Sequence, residues 1–115
     1  MALLEMIRGE SAEWDVYVRH PITSLPIDLT DKDLRFMAKR EFSDDDPVID
    51  VSTPSEIYIT DPPGGLAHIK VPWEQTMVLD NEKTRLVYEF EISAGSDKSK
   101  GDSGYLIVNP EVIVE

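Results

Sequence analysis

The chain has 115 residues, 23 acidic against 11 basic, and a formal net charge of −12. At 41% hydrophobic and 30% charged it has a globular composition, and its length fits one domain spanning residues 1–115 that hides roughly two thirds of its unfolded surface. The absence of cysteine excludes disulfides, thiol catalysis and cysteine-based metal sites, while the acidic balance argues against nucleic acid and anionic membranes as partners.

The opening MALLEMIRGE has no basic n-region, and Glu5 interrupts an apolar stretch too short for a signal peptide. No apolar run approaches the ~20 residues of a membrane-spanning helix. The expectation is therefore a protein made and kept in the cytoplasm, not exported by a signal peptide.

Alternation with a period of two then dominates, as in half-buried strands. In EWDVYVR, Trp14, Val16 and Val18 share one face, and Glu13, Asp15, Tyr17 and Arg19 the other. HPITSLPIDLTDKD is turn-rich, and LRFMAK places Leu34, Phe36 and Ala38 together. SDDDP reads as a charged loop, EIYIT as a strand, and TDPPGG as a reversal in which Pro presets φ and Gly admits a positive φ. LAHIKVP turns Ala67, Ile69 and Val71 inward and His68 and Lys70 outward. PWEQTMVL breaks the pattern: Pro72 suits a helix start, and Trp73 and Met77 are four apart, so one or two helical turns are expected. LVYEFEIS alternates Leu86, Tyr88, Phe90 and Ile92 against Val87, Glu89 and Glu91. AGSDKSKGDSG reads as a long hairpin loop, and YLIVN and EVIVE as two closing strands, the last an edge available for pairing. About seven to eight short antiparallel strands with one helical turn make an all-β sandwich the expected fold.

Chemistry is sparse. Gly101, Asp102, Ser103 and Gly104 repeat the tetrapeptide that carries the nucleophile of trypsin-like proteases. A nucleophilic serine needs a base in hydrogen-bond reach, and only His20 and His68 are present, neither with an evident reason to face Ser103. A Gly-flanked turn is the expectation there. Asp44, Asp45 and Asp46 lack the spacing of a calcium loop and read as a solvated acidic loop. Trp14 and Trp73 are expected to pack in the interior, Trp73 by plugging one end of the sandwich. Tyr17 and Tyr58 alternate outward, and exposed aromatics are enriched at interfaces. No catalytic residue, cofactor or metal site is read from the residues.

The ordered segments IRGESAEWDVYV, PIDLTDKDLRFMAKR, DPVIDVS, IYITDPPGGLAHIKVPWEQTMVL, LVYEFEIS and GYLIVNPEVIV together resemble a family of small phage and prophage proteins. These are similar to the immunoglobulin-like domain at the N-terminus of the phage baseplate upper protein. The matching positions are Arg8, Gly9, Glu10 and Ser11, then Pro26, Asp28, Leu29 and Thr30, then Asp61, Pro62 and Gly65. They continue through Pro72 and Thr76 to Gly104, Leu106, Val108, Pro110, Glu111 and Val112. The baseplate upper protein continues into a long C-terminal extension, and this chain stops at Glu115.

The resemblance implies an immunoglobulin-like β-sandwich acting without catalysis, a structural or interaction protein of the tail or baseplate. Its implied partners are other phage structural proteins, with self-assembly into a homo-oligomer as a further expectation. Its implied location is the bacterial cytoplasm during assembly, or the virion. Tyr17, Tyr58, Glu111 and Ile113 are the expected partner contacts. A carbohydrate or cell-surface binding module is the alternative.

Overall fold

The computed structural model describes residues 2–111. Eight strands form two sheets, β1 (Ala2–Ile7), β2 (Ala12–Tyr17), β3 (Asp33–Lys39), β4 (Ile49–Ser52), β5 (Ile57–Asp61), β6 (Leu66–Val71), β7 (Thr84–Ala94) and β8 (Asp97–Asn109). One sheet has five strands in the order β1-β8-β7-β3-β4, the other three in the order β2-β6-β5. All neighbours are antiparallel except β1 and β8, which run parallel with Leu4 opposite Leu106. The fold is all-β, and the single helical element among the described residues is a 3₁₀ turn, Trp73–Thr76.

One core lies between the sheets because the alternation of both turns its apolar face inward. Leu34, Phe36 and Ala38 of β3 and Leu86, Phe90 and Ile92 of β7 meet Ile57, Ala67, Ile69 and Val71 of the smaller sheet. Phe36 is the hub, with ring centroids 5.2 Å from Tyr88, 5.4 Å from Phe90 and 6.2 Å from Trp14. Such tilted aromatic pairs contribute beyond the area they bury.

The turns follow from residue chemistry. Gly9 has φ +81°, and a Cβ there would lie 2.7 Å from the Glu111 carboxylate. Gly65 has φ +72° and leaves no room for a side chain, since a Cβ would lie 2.6 Å from the Ile27 carbonyl. Asp28 accepts from the Thr30 amide at 2.9 Å and from its hydroxyl, which shapes the turn ahead of β3.

Three features differ from the sequence reading. β1 and β4 are additional strands, both short. AGSDKSKGDSG is not a long loop: β7 runs to Ala94, β8 starts at Asp97, and only Gly95, at φ +63°, and Ser96 lie between them. Between the pairs Glu89–Ser103 and Glu91–Lys100, Phe90 alone faces Gly101 and Asp102, a bulge rather than a turn. Gly101 is needed there because a Cβ would lie 2.8 Å from Val18 Cγ1 and 3.2 Å from Phe90 Cβ. Finally, Trp73 is 48% exposed and plugs nothing. The tight 3₁₀ turn sends Thr76 inward instead, and Trp73 and Met77 face solvent. Most of EVIVE, including Ile113, lies outside the described residues.

Candidate functional site

The outer face of the three-stranded sheet gathers the most polar and aromatic side chains available to a partner. Register places Asp15 beside His68, Tyr58 on the other side of His68, and Tyr17 beside Leu66. Tyr17 is 50% and Tyr58 62% exposed, so both alternate outward as the sequence indicates. The Arg19 guanidinium lies over the Tyr17 ring, 5.3 Å from its centroid.

His68 holds the middle of this face. Its Nδ1 lies 2.8 Å from Asp15 and its Nε2 3.4 Å from Glu13. The hydrogen bond to Asp15, then that to Glu13, raises the imidazole above its usual 6.5. The face is thus an anionic and aromatic platform whose charge changes as His68 titrates.

Glu111 sits elsewhere, at the end of the molecule where the β1–β2 turn meets the 3₁₀ turn. The Arg8 guanidinium donates Nη1 to the Glu111 carboxylate, Nε to the Leu79 carbonyl at 2.7 Å and Nη2 to the Met77 carbonyl at 3.4 Å. The Gly9 amide donates to Thr76 Oγ1 at 2.9 Å. The Glu111 amide donates to Asn81 Oδ1 at 2.7 Å. Glu111 is therefore held inside the chain, by a residue 103 positions away, and its carboxylate already has a partner.

The structure brings Ser103 closer to a histidine than the sequence suggests. His20, Ser24, Asp102 and Ser103 line one surface depression of about 210 Å³. No hydrogen bond joins His20 to Ser103 or to Asp102 among the described residues. His20 Nδ1 instead accepts from the Ile22 and Thr23 amides at 3.2 and 3.3 Å. That leaves the proton of the neutral ring on Nε2 and occupies the lone pair that a base would use. Asp102 is likewise engaged, accepting from the Arg19 amide at 3.2 Å.

Asp44 of the acidic loop accepts from the Glu41 amide, which closes its turn. Among the described residues no three His, Asp or Glu side chains are grouped to hold a metal ion, and no helix is long and apolar enough to cross a membrane.

Sequence reasoning did not find the flank formed by β1 and β2. β1 pairs only with β8, and β2 only with β6, so each has a second edge without a strand partner among the described residues. The inward side chains of β2 remain half-buried, whereas Ala67, Ile69 and Val71 on β6 are fully buried. MALLEMI is the signal that was available, because Leu4 and Met6 alternate with Leu3, Glu5 and Ile7.

Comparison with protein-family models, with curated proteins and with solved structures finds no match.

Proposed function

We propose that this chain is a non-enzymatic interaction protein of a phage or prophage particle, associated with the tail or baseplate and built as an immunoglobulin-like sandwich. The strand order supports the fold. β2, β6 and β5 correspond to strands B, E and D of such a sandwich, and β8, β7, β3 and β4 to G, F, C and C′, with β1 parallel to the last strand.

The observation that carries the reading is where the motif residues lie. Arg8 and Glu111, taken from opposite ends of the family-like pattern, meet in one ion pair. Gly9 and Thr76 meet in one hydrogen bond, and Asp28, Thr30 and Gly65 each fix a turn. These motif residues are spent on holding the scaffold, which leaves its outer faces and edges to meet partners. The platform of Tyr17, Tyr58 and His68 and the open flank of β1 and β2 are the surfaces presented. The engaged Nδ1 of His20 supports a role without catalysis.

The test is affinity capture from cells assembling the particle, with the bound proteins identified by mass spectrometry. Tail and baseplate proteins retained in fixed proportion support the reading. Their absence under conditions where the particles assemble refutes it.

One observation favours the alternative, a carbohydrate-binding module: Trp73 is 48% exposed, and a solvent-facing indole is a stacking surface for a sugar ring. Saturation-transfer spectra against a panel of cell-surface glycans, with Trp73→Ala as control, decide that reading.

A further inference from the structure

The flank between β1 and β2 has chemistry as well as open edges. Two clefts follow one another along it. The first, about 400 Å³, is lined by Met6 and Trp14 with Glu5, Glu10 and Glu13. The second, about 310 Å³, is lined by Leu4, Val16, Tyr88 and Phe90, with Asp15 and Asp102 on its border. Tyr88 is only 3% exposed and its hydroxyl makes no hydrogen bond among the described residues; since every polar side-chain atom shut off from solvent has a partner, that hydroxyl opens to the cleft. It can bond whatever enters there.

Charge selects the occupant. Five acidic residues line the two clefts, Glu5, Glu10 and Asp102 together with Glu13 and Asp15, whose carboxylates also bond His68, and Arg19 is the one base among the lining residues. Its guanidinium is committed to the Ser24 carbonyl at 3.1 Å and to the Tyr17 ring. Burial, then the nearby Asp102 carboxylate, pushes the Tyr88 phenol up to about 12. It stays neutral, able to accept from a cation.

Resting on the reading of this chain as an interaction protein, we propose that the β1–β2 flank is a docking groove for an extended, lysine-rich segment of a partner protein. The segment adds as a strand to an open edge, where main-chain hydrogen bonds give affinity and alternate side chains give specificity. One lysine lays its apolar stem along Leu4, Val16 and Phe90 and places its ammonium between the Tyr88 hydroxyl and the Asp102 carboxylate. Lysines further along meet Glu5, Glu10 and Glu13.

The probe is a fluorescein-labelled, end-capped peptide Lys-Val-Lys-Val-Lys-Val-Lys, titrated into the full-length protein by anisotropy and followed by amide shifts in a nitrogen-15 spectrum. Saturable binding is expected, with shifts concentrated on β1 and β2. Tyr88→Phe keeps the ring and the fold and weakens binding about fivefold, the value of one hydrogen bond. Glu10→Gln with Glu13→Gln weakens it by about tenfold at low salt, and less at high salt. Absence of saturable binding, shifts on another face, or an unchanged affinity in Tyr88→Phe overturns the groove. So does equal binding by a peptide of the same charge with proline in place of valine, because that peptide cannot add as a strand. So too does concentration-dependent broadening of β1 and β2 without peptide, which makes the occupant a second copy. If Tyr88→Phe still captures the particle proteins as well as the wild type does, the groove fails and the interaction reading stands. If the wild type captures none, that reading itself fails.

Discussion

Replacing Arg8 with alanine should cost about 3 kcal/mol of folding stability. The Arg8 and Glu111 side chains are 16% and 29% exposed, so the pair lies between a surface ion pair and a buried one. Exposed pairs contribute about 0–1 kcal/mol, and removing one partner of a fully buried pair costs about 3–5 kcal/mol. Arg8 also donates to the Leu79 and Met77 carbonyls, and hydrogen bonds from a charged donor contribute about 1.5–3 kcal/mol each. The 3.4 Å bond to Met77 counts for little, and partial exposure discounts the rest, which leaves about 3 kcal/mol. For a domain of this size the thermal midpoint should fall by about 12 °C. Urea unfolding followed by far-ultraviolet circular dichroism measures the free-energy change directly. Glu111→Gln should cost less, because its main chain keeps both hydrogen bonds to Asn81. The double mutant should show a coupling of about 1 kcal/mol. A loss below about 1 kcal/mol for Arg8→Ala, or no coupling, would refute the view that this cluster ties the chain ends together.

Three further outcomes follow from the geometry. His68 should titrate above its usual 6.5 in a proton NMR experiment, and Asp15→Asn should bring it down; because the folded value is raised, the contribution of the Asp15 and Glu13 contacts is fully present below the unfolded value and is lost as pH rises through the folded one. Gly65→Ala should destabilise by about 2 kcal/mol or more in urea, since φ is +72° and the new Cβ meets the Ile27 carbonyl at 2.6 Å, and an unchanged midpoint would contradict that close approach. Acrylamide should quench the fluorescence of Trp73 readily, and Trp73→Phe should leave a less quenched spectrum from the half-buried Trp14, whereas equal quenching of both would contradict the burial difference.

Strands with regular alternation were legible in the sequence because one face of each is buried and the other wet. LVYEFEIS carries that pattern without interruption, and its inward residues are core residues in the structure. Met37 obeys the pattern in direction but not in burial: it points outward and is still only 6% exposed, because its neighbours on that face cover it. β1 is hard to see because Met1–Leu4 run apolar before any alternation begins, and β4, IDVS, because of its shortness. The polar run Asp97–Lys100 looked like a loop because both of its faces are exposed, yet pairing with β7 makes it a strand. Tyr17 and Tyr58 were legible as outward residues by alternation alone. The Arg8–Glu111 pair and the lining of the β1–β2 flank were not, because they join positions far apart in the chain and no local period records them.

Quantitative mass spectrometry of purified particles, after cross-linking through the chain's lysines, tests the proposed role most directly. Assembly into the tail or baseplate predicts this chain at a fixed copy number per particle, cross-linked to other structural proteins. Particles that are complete and infective while containing none of it would contradict that role.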